Sequence, residues 1–434
     1  MRIRTPRLAC LATLVLAALG TLPALAAQMG RIAAIRVVGS RRYAEAHVAA
    51  ASGLHAGDTV GREEIQAAAD RLSALGVFAS VRFRFTSAGE SVVVEFQVED
   101  APTVPVFFDN FPWFADDELT AALRQAVDLF DGTAPEQGSI LDQMTETLRK
   151  LLPTRGIHAA VERVLMARPG GEGMMQEFRV VGASLRINAI QFGDPLAAQS
   201  KRIADRISDL VGKPYSRFAV EVFAGEQVRP LYLEQGHLRV RFGTPLTRFT
   251  GDPNRPLPDS VLVIVPIEPG PIYRFGGVEW TGMAAFGPAA LNEFLGLKSD
   301  EVADGIKIAA AWARVQDEYG RRGYVEMKLE TKPLFDEAAK RVIYRAAITE
   351  GAAYRMGELV LTGISLAGEN KLREAWHLLR GEIFDGNYFE QFLVKLEKGG
   401  REIFGDLPIH YEQTGHWLRT NPNTRTVDVL LDFK

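Results

Sequence analysis

The segment Tyr232-Leu-Glu-Gln-Gly236-His-Leu-Arg-Val-Arg-Phe242 decides the reading of this chain. Tyr232 lies in the last turn of a helix, Gly236 stops it, and Leu238, Val240 and Phe242 then alternate with Arg239 and Arg241. Glycine ends helices because it enters the left-handed conformation without a Cβ penalty. Alternation at period two marks a strand with one apolar and one wetted face. The pattern recurs at Tyr319-Gly-Arg-Arg-Gly323-Tyr324-Val-Glu-Met-Lys-Leu329, where Val325, Met327 and Leu329 are the apolar positions. Looser copies surround Gly76 and Gly156. The four glycines are spaced by 80, 80 and 87 residues, and a weak fifth copy lies at Gly405, 82 residues beyond Gly323. Self-similarity at a fixed period predicts a string of small domains, here of about 80 residues each.

The first repeat sets out the domain plan. Ile32–Val38 is a short apolar strand ending at Gly39, and Arg42–Ser52 is helical. Glu63–Leu75 carries Ile65, Ala68, Ala69 and Leu72 on one helical face, and Gly76 stops it. Val81, Phe83 and Phe85 alternate with Arg82 and Arg84, and Val92, Val94, Phe96 and Val98 return as a hairpin partner. The predicted class is α+β: tandem β-α-α-β-β domains, each a three-stranded mixed sheet with two helices on one face. The expected boundaries are 31–100, 101–183, 184–270, 271–351 and 352–434. In the third repeat a single helix is expected over 216–234. There the returning strand Val261–Ile267 is apolar on both faces, which predicts a covered second face.

The registers after the glycines differ. Gly76 is followed by apolar residues at +1 and +5, whereas Gly236 and Gly323 have them at +2 and +4. The repeats therefore share a fold plan without presenting identical edges.

Residues 1–27 read as a secretory signal peptide: Arg2, Arg4 and Arg7, the apolar run Leu8–Leu22, then Ala24-Leu25-Ala26 as a cleavage site. An uncleaved anchor is the alternative. The single cysteine, Cys10, lies inside this peptide, so the mature chain has no thiol and relies on its cores alone. Without the three leader arginines, 47 basic residues face 54 acidic ones. Nucleic-acid binders carry a clustered positive face, so no nucleic-acid partner is expected. No later apolar run reaches the length of a membrane span.

Catalytic chemistry finds no foothold. None of the seven histidines forms an H-x-x-x-H or H-E-x-x-H pair, and no G-x-S-x-G or phosphate-binding loop occurs. Asp116, Asp117 and Glu118 could serve a hydrolase, but carboxylates in this position also suit a helix N-terminus. No catalytic residue, cofactor or metal site is expected. The sheets offer another mechanism. An unpaired sheet edge presents a row of N–H and C=O groups. An extended peptide can add a strand there with little demand on its sequence.

The β-α-α-β-β unit with a glycine junction resembles the POTRA (polypeptide-transport-associated) domain. The residues that carry the resemblance are Ile35-x-Val37-x-Gly39, Gly76-Val77-Phe78-x-x-Val81, Tyr232-x-x-x-Gly236 and Tyr319-x-x-x-Gly323-Tyr324. Five such units after a signal peptide resemble the periplasmic arm of BamA-type outer-membrane assembly proteins. The family usually continues into a β-barrel, for which no stretch before Lys434 has room. The resemblance implies that the strand after the second helix is the binding edge: Val81, Phe83 and Phe85; Leu238, Arg239, Val240, Arg241 and Phe242; Val325, Met327 and Leu329. It also implies a non-enzymatic periplasmic scaffold associated with the outer membrane. Its partners would be unfolded outer-membrane protein precursors, or barrel or lipoprotein subunits, with the membrane reached only through them. The detached arm of a split barrel protein is the alternative within this reading.

Overall fold

The computed structural model describes residues 30–169, 171, 173–250, 258–407, 409 and 411–434. The expected signal peptide with Cys10 and most of the loop 250–259 lie outside the described residues. The chain divides into two compact units, residues 1–183 and 184–434. Among the described residues no helix is long and apolar enough to cross a membrane.

The N-terminal unit begins with β1 (Gly30–Val38), α1 (Glu45–Ser52), β2 (Thr59–Val60), α2 (Arg62–Ala74), β3 (Phe78–Ala88) and β4 (Ser91–Asp100). Their sheet runs β2-β1-β4-β3, with β1 parallel and β3 antiparallel to β4. Val81, Phe83 and Phe85 pair with Val98, Phe96 and Val94, so one face is apolar throughout. Ile65, Ala68, Ala69 and Leu72 of α2 are buried, and they pack in one core with the strand residues. Gly39 follows β1 with φ +103°, and a Cβ there would strike the Val98 carbonyl.

The plan repeats in β5 (Val104–Asp109), α3 (Asp116–Ala126), β6 (Thr133–Ala134), α4 (Ile140–Leu151), β7 (Ala160–Ala167) and β8 (Met174–Val181), ordered β6-β5-β8-β7. Gly156, at φ +73°, caps the turn that ends the second helix. The two repeats meet helix end to helix end. Ser139 and Ile140, at the start of α4, donate their N–H groups to the carbonyls of Ala74 and Leu75 at 2.8 and 3.4 Å. A helix C-terminus has carbonyls without partners and an N-terminus has such N–H groups, so each satisfies the other. Gly76 permits the approach, since a Cβ on it would collide with the Gln137 carbonyl.

The C-terminal unit holds β9 (Arg186–Phe192), α5 (Pro195–Ala198), α6 (Lys201–Ile207), α7 (Arg217–Phe223), α8 (Arg229–Glu234), β10 (Arg241–Phe242), β11 (Leu246–Thr250), β12 (Ser260–Val265) and β13 (Ile267–Glu268). Then come β14 (Arg274–Thr281), α9 (Pro288–Leu295), α10 (Gly305–Gly320), β15 (Lys328–Asp336) and β16 (Arg341–Thr349). The last group is β17 (Arg355–Thr362), α11 (Leu366–Ala375), α12 (Gly386–Glu397), α13 (Arg401–Phe404), β18 (Thr414–Asn421) and β19 (Thr426–Phe433). The sheets run β11-β12-β9, β14-β16-β15 and β17-β19-β18, and β10 pairs with β13 as a separate ribbon.

Two expectations need correction. The helix over 216–234 is split into α7, a π turn at Ala224–Val228, and α8. Pro230 has no N–H to give the Glu226 carbonyl. The wider turn absorbs that break, and Arg229 N reaches back five residues to Ala224 O. The sheets of the N-terminal unit have four strands, because a two-residue strand adds to the outer side of β1 and of β5. That addition is a constant of the chain. The start of each first strand bridges a residue 28 positions later: Arg31 to Thr59, Pro105 to Thr133, Arg186 to Pro214, Arg274 to Val302 and Arg355 to Ile383.

Within the C-terminal unit the glycines of the opening motif form the joints between consecutive repeats. Gly236 and Gly323 have φ +84° and +83°. His237 N closes back on Tyr232 O at 3.0 Å, and Tyr324 N on Tyr319 O at 3.2 Å, ending each helix. Each glycine carbonyl then accepts from the next repeat: Tyr273 N to Gly236 O at 3.0 Å, Tyr354 N to Gly323 O at 2.8 Å. A Cβ on Gly236 would lie 3.0 Å from Tyr273 O and 2.8 Å from Val302 Cγ1. On Gly323 it would strike the Tyr354 carbonyl. Two residues on, Leu238 packs against Tyr273, Phe275 and Ile308 of the following core. Val325 packs in the same way against the core of Tyr354 and Phe384.

Gly323→Ala therefore combines backbone strain with a collision, whereas Gly381→Ala at φ +88° meets nothing within 4 Å. We expect Gly381→Ala to cost about 1 kcal/mol and Gly323→Ala distinctly more, about 2–3 kcal/mol. Denaturant unfolding of the two variants checks this, and equal losses would show that the joint imposes no steric demand.

Candidate functional site

Five strands stand at the outer edge after the second helix: β3, β7, β11, β15 and β18. Their chemistry differs. On β3 the expected residues Val81 and Phe83 are half-buried and Phe85 is 36% exposed. The opposite face of β3 is charged, and Arg84 pairs with Glu95 on β4 at 2.7 Å. The hydrogen bond from Arg84 holds the Glu95 carboxyl below its ordinary range.

The expected third-repeat edge is corrected. Leu238, Arg239 and Val240 form no strand, and only Arg241 and Phe242 do, in the ribbon with β13. Leu238 belongs to the joint, Val240 is buried, and Arg239 reaches forward to Glu337. The real edge is β11, in sequence just beyond the expected one. Leu246 and Phe249 on β11 are 56% and 51% exposed. Leu246 pairs with Ile264 and Phe249 with Val261, so the edge offers apolar side chains on both of its faces. The sequence signal was the run Leu246-Thr-Arg-Phe249-Thr, which lies directly before the proline-rich loop.

The fourth-repeat edge is shifted in the same way. Val325 and Met327 precede the strand, and Leu329 is its second residue. Met327 and Leu329 pack on their own core. The edge β15 carries Lys328, Glu330 and Lys332, then Pro333. Proline cannot donate to an added strand, and edge charges discourage pairing. β15 is thus a blunted edge, whereas β11 carries no proline and exposes Leu246 and Phe249.

The polar groups around the joints follow one scheme. The residue three after each glycine meets the hairpin of the next repeat and a buried tyrosine. Arg239 Nη1 bonds Glu337 Oε1 at 2.5 Å, and the Tyr273 hydroxyl donates to the same oxygen at 2.8 Å. At the second joint Glu326 takes the acidic role, accepting from the Tyr354 hydroxyl at 3.0 Å and from Thr420 Oγ1 at 3.1 Å. The Tyr273 hydroxyl first, with Lys340 and Arg239, lowers the Glu337 carboxyl below its ordinary range against a cost of desolvation. Arg239 and Glu337 are 55% and 51% exposed. Such pairs add little to stability, so the apolar plugs and backbone bonds hold the joint.

Tyr232 and Tyr319, the tyrosines of the glycine motif, are buried, and each donates to a carboxylate. Tyr232 bonds Asp194 at 2.6 Å, and Tyr319 bonds Glu350 at 2.8 Å. Burial first, and then the bonded carboxylate, raise both phenols above their ordinary value. Tyr324 packs edge-on against Tyr319 with centroids 5.5 Å apart. Glu350 also accepts from Ala284 N and Ala285 N at 2.7 and 2.8 Å. Burial opposes its charged form, but these three bonds outweigh that and lower its carboxyl.

The carboxylates considered for hydrolysis lie in the first turn of α3, where Glu118 pairs with Arg155 at 3.0 Å. Among the described residues no three His, Cys, Asp or Glu side chains gather as a metal site.

Residues 273–351 match the POTRA family, described as surface antigen variable number repeat. A protein of Treponema pallidum (strain Nichols) named as an outer membrane protein assembly factor is 23% identical over 219 residues, 48% of this chain and 24% of that protein. The chain thus spans about a quarter of that relative's length. Among solved structures, POTRA domains 3–5 of Haemophilus influenzae BamA are 16% identical, covering 58% of this chain and 97% of that one at a TM-score of 0.45. POTRA domains 1–3 of Anabaena Omp85 are 12% identical, covering 74% and 96% at a TM-score of 0.19.

A lowered carboxyl stabilises the fold above its ordinary value, 4.5 for glutamate, and that stability is lost as pH falls through the folded value. Glu350→Gln should therefore flatten the fall of the unfolding midpoint below about pH 4.5. Denaturant midpoints over an acid series measure it, and a slope equal to wild type would exclude the Glu350 bonds as an acid-sensitive element.

Proposed function

We propose that this chain, of which residues 273–351 match the POTRA family, is a non-enzymatic scaffold of five POTRA-like domains, 31–100, 101–183, 184–270, 271–351 and 352–434. It acts in the assembly or transport of outer-membrane proteins, on the periplasmic side and at the outer membrane. It holds extended polypeptide, an unfolded precursor or a segment of a barrel or lipoprotein partner, by strand addition at a sheet edge. The POTRA match and the assembly-factor relative support the process.

One observation carries the mechanism: β11 is the outer strand in the order β11-β12-β9, and it exposes Leu246 and Phe249. Main-chain bonds give such an edge affinity for many sequences, and the two apolar side chains add burial. The blunted edge β15 supplies the built-in contrast.

A photo-crosslinking residue at position 249 should capture an extended outer-membrane precursor, and one at position 332 should capture far less. Leu246→Lys/Phe249→Lys should weaken capture about tenfold, since charges on an edge oppose pairing. Equal capture at 249 and 332, or capture unchanged by the lysines, would exclude β11 as the binding edge.

A further inference from the structure

The turn before the second helix of a repeat closes on that repeat's own first strand at Gly57, Gly212, Asp300 and Gly381. These residues donate their N–H groups to the carbonyls of Ile32, Ile187, Phe275 and Met356 at 2.8, 2.8, 2.8 and 2.7 Å. In the last three repeats an arginine at the start of the strand adds a second tie. Arg186, Arg274 and Arg355 donate to the carbonyls of Gly212, Asp300 and Gly381, each 26 residues on.

The second repeat has neither tie. Pro105 stands where the arginine would be and has no side-chain donor to offer. Among the described residues no backbone bond joins Asp131 N, at the turn, to the Val106 carbonyl. The turn is held from the first repeat instead. Arg42, in the loop between β1 and α1, donates from Nε and Nη2 to Asp131 Oδ2 at 3.0 and 2.5 Å. Its Nη2 also reaches Thr133 Oγ1 at 2.6 Å, and its Nη1 the Ala101 carbonyl at 3.3 Å.

Both ends of this contact are fixed in advance. Asp100, the last residue of β4, accepts from Ser40 Oγ and Arg41 N at 2.8 Å and from Arg42 N at 3.2 Å, which holds the loop that carries the arginine. Asp131 Oδ1 accepts from Thr133 N at 3.1 Å and Thr133 Oγ1 at 2.7 Å, which leaves its other oxygen to Arg42. The Arg42 and Asp131 side chains are 24% and 31% exposed, so water screens this pair less than it screens Arg239 and Glu337. Burial opposes the charge on Asp131, but the bonds from Thr133 and Arg42 outweigh that and lower its carboxyl.

We propose that Arg42 is a clasp by which the first repeat closes the Asp131 turn of the second, in place of the ties that the other repeats make within themselves. Docking of these two repeats and closure of that turn are then one equilibrium. Separating the first repeat from the second frees Arg42 and opens the turn, so a displacement of the first repeat is transmitted into the second. The clasp does not depend on the strand-adding scaffold described above and stands or falls separately from it.

The test is amide hydrogen exchange on the full chain. Arg42→Ala should speed exchange at residues 131–134 about tenfold and leave β1 and α1 as in wild type, because the loss falls in the neighbouring repeat. Arg42→Lys keeps the charge and the stem but not the planar fork, and should give a smaller rise at the same amides. Arg355→Ala, which removes a tie made within one repeat, should loosen the turn at Gly381. Wild-type exchange at residues 131–134 in Arg42→Ala would overturn the proposal, and so would a rise confined to residues 39–45. If Arg42→Ala loosens both repeats alike, the lysine variant decides: a rise at residues 131–134 alone supports the clasp, and wild-type exchange there overturns it.

Discussion

A glycine carbonyl at the end of a helix, accepting the first N–H of the next repeat, is the contact on which the C-terminal unit depends. At Gly236 and Gly323 the chain must stop a helix, turn with positive φ and leave no side chain between two backbones. Only glycine meets all three demands. The bonds themselves are ordinary, each worth about 1 kcal/mol net. Their importance lies in position: they fix where Leu238 and Val325 enter the following cores, and the apolar surface buried there stabilises the joint more than the bonds do. The N-terminal unit solves the same problem differently, with the end of α2 and the start of α4 satisfying each other's backbone groups across Gly76.

Because the joints consume the residues directly after Gly236 and Gly323, the free edges move downstream. This explains why the apolar positions at +2 and +4 do not mark an edge strand. The +2 residue serves the next repeat, and Val240 and Met327 at +4 are buried or packed on a core. After Gly76 no such plug is needed, and the strand begins at Phe78. The difference in register was visible in the sequence, and its cause is the difference between the two kinds of joint.

The edges left over are unequal by composition. Lysines, a glutamate and a proline blunt β15, whereas β11 and β18 expose Leu246, Phe249, Trp417 and Leu418. A protein that merely protected its edges would blunt them all. Selective exposure is what the strand-adding scaffold proposed above requires.

The sequence by itself determined the α+β class and the repeat, because period-two and helical apolar patterns and helix-stopping glycines are local properties of the backbone. It also identified Tyr232, Tyr319 and the glycines as the fold motif. Tertiary structure alone decided which residues after each glycine are strand and which are joint. Leu238 and a strand residue such as Val81 look alike in sequence; they differ only in whose core they enter. The bridges 28 residues apart leave no trace in the sequence, because a bridge made by residues as unlike as Thr59, Pro214 and Ile383 follows backbone geometry and carries no side-chain signature.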